Sequence, residues 1–188
     1  MKKIIFTLWI MGCIILSHAQ KPEPVTPYPV SIDSITKLIT YQGVAEVSGV
    51  NKEELYLRIN EWFHTSYKNP AEVIRENDSL KFIITGKPRF RLLSPPNKEG
   101  VKIGGNNLAQ YTITVAARDG RFKYELTNFN WIQPSYYASE RWLDTNAKSY
   151  LPVFNDYLQQ LDAQAQKEIK SLKDAVMKAK SVKDKDKW

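Results

Sequence analysis

The sequence predicts an α+β fold: an antiparallel sheet of about five strands with a helix after strand 1 and a long C-terminal helix on one face, in the order β-α-β-β-β-β-α. Three observations carry this. A period-2 apolar pattern over 38–47 gives way to a period-3.6 stripe over 51–66, Asp119-Gly120 sits between two alternating runs, and apolar three-and-four spacing holds from about Ser149 to Ala179.

Residues 1–19 stand apart from that fold. MKKIIFTLWIMGCIILSHAQ places Lys2 and Lys3 before an apolar run from Ile4 to Leu16, then Ser17-His18-Ala19 ahead of Gln20, the order of a secretory signal peptide. About thirteen apolar residues at ~1.5 Å each fall short of the ~30 Å hydrocarbon core, which argues against a membrane anchor. Lipidation at Cys13 is the alternative, because Ile10-Met11-Gly12-Cys13 loosely matches a lipobox. Against it, Ile14, Ile15 and Leu16 prolong the apolar run where a lipoprotein turns polar. The expected location is therefore the periplasm or the cell exterior. Cys13 is the one cysteine of the chain, so the mature protein has no disulfide, thiolate nucleophile or cysteine metal site and must be held by its core.

Residues 20–36 contain KPEPVTPYPV directly after Gln20, and its prolines fix φ and favour an extended linker. The folded domain is expected over 37–166. In its first strand Ile39, Tyr41, Ala45 and Val47 share a face, with Gly43 relieving the space between them. VSGVNKEELYLRINEWFHTSY then reads as a helix with Asn51 as N-cap, Glu54 at the third helical position and Val50 meeting Leu55. Leu55, Ile59, Trp62 and Phe63 form its apolar stripe, flanked by Tyr56, while Glu54 and Arg58 make a solvent-side pair and His64 meets the negative end of the dipole. The charges of this stretch are those of a packing helix.

AEVIREND and SLKFIIT read as two short strands turned at Asn77-Asp78-Ser79, and KPRFRLL continues the second past Pro88, at an edge or bulge. SPPNKEGVKIGGNN is expected to be a long flexible loop. In the hairpin that follows, Tyr111, Ile113 and Val115 alternate into the core, Asp119-Gly120 turns the chain, and Phe122, Tyr124 and Leu126 alternate back. After the aromatic connector WIQPSYYASERWLD, the last helix carries Leu151, Phe154, Leu158, Leu161, Ala165, Ile169, Leu172 and Val176, with Pro152 in its first turn. Some thirty residues would extend ~45 Å, longer than a small sheet, so residues 167–188 are expected to project or fray as a basic extension and tail.

From about Leu38 to Ala165 the chain resembles a family of secreted bacterial domains of unknown function described as having a TATA-binding-protein-like fold. The resemblance rests on Tyr41 and Val47, on Ser48-Gly49-Val50-Asn51-Lys52-Glu53-Glu54-Leu55-Tyr56 with Trp62 beyond it, and on Asp119-Gly120-Arg121-Phe122. It implies a fold and neither catalytic residues nor a cofactor. It does not imply nucleic-acid binding, which in transcription factors uses apolar wedges in the minor groove.

The chemical inventory is thin. No GxSxG, HExxH, Walker or dinucleotide fingerprint occurs, and Gly104-Gly105 is followed by Asn106-Asn107 rather than Lys and Ser or Thr, which suits a flexible turn. Glu46, Glu99, Asp119 and Glu125 are carboxylates from which a hydrolase pair would have to come. The expectation is a non-catalytic binding or assembly module of the cell envelope, with a hydrolase of envelope or dietary polymers as the alternative. No metal or organic cofactor is expected.

Charge says more about partners. Loss of Lys2 and Lys3 with the leader lowers the net charge from +7 to +5, and Lys167 to Trp188 holds eight lysines against Glu168, Asp174, Asp184 and Asp186. That end suits weak contact with an anionic membrane surface, with Trp188 at headgroup level; a solvated terminus is the plainer reading. Lys87, Arg89 and Arg91 around Phe90 form a second basic cluster, for which polyanion binding is the functional reading and a solvated edge strand the simpler one. The partner, an unknown envelope protein or ligand, is expected on the connector residues Trp131, Tyr136, Tyr137 and Trp142, since aromatics with polar tips are enriched at binding surfaces. The competing explanation is that these rings cover the sheet edge beneath the final helix.

Overall fold

Asn51 starts the first helix as its spacing requires: its side chain accepts from the Glu54 amide at 2.9 Å, which satisfies one of the donors left free at a helix N-terminus. In the computed structural model, which describes residues 29–94, 100 and 104–178, this helix α1 (Lys52–Ser66) follows strand β1 (Tyr41–Glu46). Its Leu55, Ile59, Trp62 and Phe63 are all buried, each side chain contributing about 1.5–3 kcal/mol. The leader with Cys13, residues 20–28, Glu99 and the tail from residue 179 lie outside the described residues.

A short helix α2 (Pro70–Val73) leads into β2 (Ile74–Asp78) and β3 (Ile83–Gly86). The Asp78 side chain accepts from the amides of Leu80 and Lys81 at 3.0 and 2.9 Å and so builds the turn. Strand β4 (Arg89–Leu93), the long pair β5 (Gly104–Arg118) and β6 (Arg121–Trp131), and the two-residue β7 (Tyr137–Ala138) complete the sheet. A 3-10 turn over Ser139–Leu143 and helix α3 (Val153–Met177) close the chain. The sheet is antiparallel throughout, in the order β1-β6-β5-β3-β2, with β4 also on β5 and β7 on β6. It has seven strands instead of about five because Pro88 splits one expected strand into β3 and β4, and because β7 is a short addition.

The β5–β6 turn is also where the sheet holds the helix. Gly120 takes φ +73°, a conformation that favours glycine. Its amide donates to Val50 O at 2.8 Å, its carbonyl accepts from the Val47 amide at 2.7 Å, and Asp119 Oδ1 accepts from the Lys52 amide at 2.9 Å. Gly43 meets its expected role: a Cβ there would lie 2.5 Å from Tyr124 Oη.

Five expectations are corrected. The segment assigned to the linker is folded from Val30, which is buried in the core, and Ile32 bridges Ile39. Residues 71–73 are helical, since Pro70 opens a turn of helix there. Gly104 and Gly105 belong to β5, Gly104 pairing with Leu93. The end of the last helix docks: Ile169, Leu172 and Val176 are buried, and Trp62 Nε1 donates to Ser171 Oγ at 3.0 Å. It has a surface to dock on because α3 runs along α1 as well as the sheet. For the same reason Arg58 is not on the solvent side. Its side chain is 11 % exposed and donates to Glu54 at 2.9 Å and to Val176 O at 3.0 Å.

Candidate functional site

Strand alternation divides the sheet into two faces. Tyr41 and Ala45 of β1, Phe122, Tyr124 and Leu126 of β6, and Tyr111, Ile113 and Val115 of β5 point to the helices and are buried. The residues between them form the opposite face, which no described element covers. One row across it runs Glu76, Thr85, Thr114, Glu125 and Gln42; the next runs Asp78, Ile83, Ala116, Lys123 and Val44. Thr85 and Thr114 hydroxyls lie 3.3 Å apart, and those of Thr40 and Thr127 lie 3.1 Å apart. Val44, 56 % exposed, sits beside Arg118, Arg121 and Lys123 around a hollow of about 320 Å³.

The connector does not form one surface. Trp142 is 1 % exposed, stacks on Phe154 with centroids 5.5 Å apart, and meets Trp131 edge-on at 6.1 Å. Its assignment to a partner surface is thereby corrected, because a ring sandwiched between sheet and helix cannot reach a partner. Trp131 is half-buried in the same cluster, against Phe154 and Tyr157. Tyr137 is half-buried, 5.6 Å edge-on from Trp131, with the Arg141 guanidinium 4.6 Å above its ring. Only Tyr136, 69 % exposed, faces solvent fully. The stretch looked irregular because its rings serve a two-residue strand and a 3-10 turn, elements too short for periodicity to show.

The carboxylates considered for catalysis are dispersed. Asp119 is engaged with the α1 amide, and His64 is exposed in the last turn of α1. Glu125 lies 3.6 Å from Lys123 and faces Gln42 across the strands, whereas Glu46 faces Arg121. That register separates Glu46 from Glu125 by roughly 13 Å along the strands, beyond the ~5–9.5 Å that glycosidase pairs require. Among the described residues no group of three His, Cys, Asp or Glu side chains is placed to hold a metal ion, and no helix is long and apolar enough to cross a membrane.

One half-buried acid has no counterpart in the sequence expectations. Glu168 of α3 accepts from Tyr67 Oη at 3.2 Å and from Gln164 Nε2 at 2.8 Å, and the Tyr111 hydroxyl is buried beside it. Burial pushes its carboxyl above the usual range, against the pull of these hydrogen bonds and of Lys167. The Tyr67 phenol is pushed up by burial and by neighbours that include the Glu168 charge. The i, i+4 spacing of Gln164 and Glu168 was legible; that a tyrosine from the α1–α2 corner would meet them was not.

The fold decides the relationship. Residues 41–131 match the model of a domain of unknown function (DUF4468) with TBP-like fold. This stretch is a DUF4468 domain. The chain is also similar in structure to a TBP-like protein from Parabacteroides distasonis, with a TM-score of 0.62 and 15% identity over 81% of this chain and 99% of that one. A DUF4468 family protein from Bacteroides ovatus matches with a TM-score of 0.62 and 14% identity over 81% of this chain and 93% of that one. At such identities the likeness is one of fold. It extends past the DUF4468 stretch, consistent with α3 completing the helix layer that α1 begins. No curated protein matches the chain in sequence.

Proposed function

We propose that this chain is a non-catalytic binding or assembly module of the bacterial cell envelope that takes an envelope protein or ligand on the uncovered face of its sheet. The carrying observation is the polar row across that face, with Thr85 and Thr114 at its centre between Glu76 and Glu125. Such a face is rigid, since its strands are pinned from behind by a continuous core. Its side chains offer donors and acceptors without the convergent acid and base that hydrolysis needs. The leader read from residues 1–19 supports the envelope. The Lys-rich end adds at most a weak attraction to anionic lipid, because Lys170 is engaged with Asp174 and Lys173 lies 5.1 Å over the Tyr124 ring.

The test is photo-crosslinking in the host from a reactive residue at Thr114, with one at the exposed Leu57 of α1 as control. A discrete envelope-fraction product from Thr114, unaffected by Glu125→Ala, is expected. Equal yields from both positions, or hydrolytic activity abolished by Glu125→Ala at unchanged melting temperature, would overturn the reading.

A further inference from the structure

We infer that the groove between the α1–α2 corner and the β3–β4 break binds a soluble organic anion carrying two or more phosphate or carboxylate groups. The inference rests on the reading of the chain as a binding module but concerns a different surface. The groove has a volume of about 480 Å³, within the range of small-molecule sites, and Lys68, Arg75, Lys87 and Arg89 line it with Tyr67 and Val73.

Three local irregularities bring these cations together. Between Ile74 and Glu76 the register with β3 shifts by one, so Arg75 is the extra residue of a bulge, a device that re-aims a side chain. Pro88 has no amide to donate, and the chain leaves the ladder there: the Lys87 amide turns aside to donate to Val73 O at 2.8 Å, and Pro88 O accepts from the Tyr111 amide at 3.3 Å. Gly86 permits the approach, since a Cβ on it would lie 2.8 Å from Phe63 and 3.2 Å from Val73. Lys68 arrives from the end of α1.

Among the described residues the cations are uncompensated. None of the four side chains has an ion pair or hydrogen bond to a described residue. The one carboxylate on the groove, Glu72, is engaged by Asn69 Nδ2 at 2.7 Å. Four positive charges around one concavity repel one another, and an occupant with at least two negative groups relieves that repulsion at several of them together. Arginines give oxyanions paired N–H donors, and lysines add point charge. Tyr67 and Val73 offer apolar surface to the ligand's body. The size of the groove selects a small molecule over a membrane surface.

The experiment is an amide-resolved NMR titration of the mature chain with pyrophosphate and, separately, citrate, alongside sedimentation with vesicles containing anionic phospholipid. Saturable shifts at Lys68–Val73 and Lys87–Arg89 are expected with at least one soluble probe. Lys87→Glu with Arg89→Glu should weaken binding at least tenfold at unchanged melting temperature. Lys148→Glu with Lys170→Glu, the same charge change on exposed positions elsewhere, should weaken it less than threefold. Equal losses in the two variants would reduce the groove to diffuse attraction, and the absence of saturable shifts with both probes would remove the site. Vesicle binding lost in Lys87→Glu/Arg89→Glu without any soluble-probe binding would reassign it to lipid. None of these outcomes bears on crosslinking from Thr114, so the two readings fail separately.

Discussion

Arg58 of α1 donates from Nη1 to the carbonyl of Val176 at 3.0 Å, so a side chain of the first helix caps the last turn of the last one. A second contact, to Lys178 O at 3.3 Å, and the 2.9 Å pair with Glu54 hold the guanidinium in place. A cation at the negative end of a helix dipole stabilises it, and the carbonyls there otherwise lack partners. Arg58→Ala should lower stability in urea by about 1.5–3 kcal/mol, the usual range for hydrogen bonds to a charged group. Amide exchange should quicken over 170–177 before the rest of α3. Unchanged exchange there would mean that Leu172 and Val176 hold the end without the cap.

The half-buried Glu168 makes stability depend on pH in a definite sense. Folding raises the pKa of Glu168, so between its unfolded and folded values the native state binds more protons than the unfolded chain. Its contribution is therefore fully present below the unfolded pKa, about 4.3 for a free glutamate, and is lost as pH rises through the folded value. Glu168→Gln should remove that loss and raise the urea midpoint at pH 7 relative to the parent, with the difference closing toward pH 4. Parallel pH profiles for the two proteins would show that the Tyr67 and Gln164 hydrogen bonds offset burial completely.

Trp62 and His64 lie two residues apart on one helix and should behave oppositely. Trp62 is 2 % exposed, edge-on to Phe63 and Tyr67 at 5.0 and 5.6 Å, and bonded to Ser171. Trp62→Ala should cost about 3–5 kcal/mol in urea unfolding. His64→Ala, on the exposed face, should leave the midpoint nearly unchanged.

The connector aromatics separate by burial. Trp142→Ala should destabilise by about 3–5 kcal/mol through loss of its stack on Phe154. Tyr136→Ala should leave the melting temperature unchanged, which makes it the variant of the four suited to a binding assay; a marked drop would place that ring in the core.

Features that repeat over several residues are legible in the chain before it folds. Period-2 runs in β1, β5 and β6 and the period-3.6 stripes of α1 and α3 state which side chains must leave water, and local chemistry at Asn51 and Asp119-Gly120 states where elements start and turn. Burial and hydrogen bonding act on neighbours in the chain, so these signals are legible without a partner in view. Features that depend on one residue meeting another far along the chain emerge on folding. Arg58 reads as half of a surface pair until Val176 arrives 118 positions later, and Glu168 reads as one acid of a basic tail until Tyr67 meets it. Trp142 reads as a free aromatic until Phe154 lies on it. The cationic groove belongs to the same class. Lys87 and Arg89 stand together in the sequence around Pro88, whose break is legible there, but Lys68 and Arg75 join them only through the α1–α2 corner and the β2 bulge, which exist only once β2 is paired with β3.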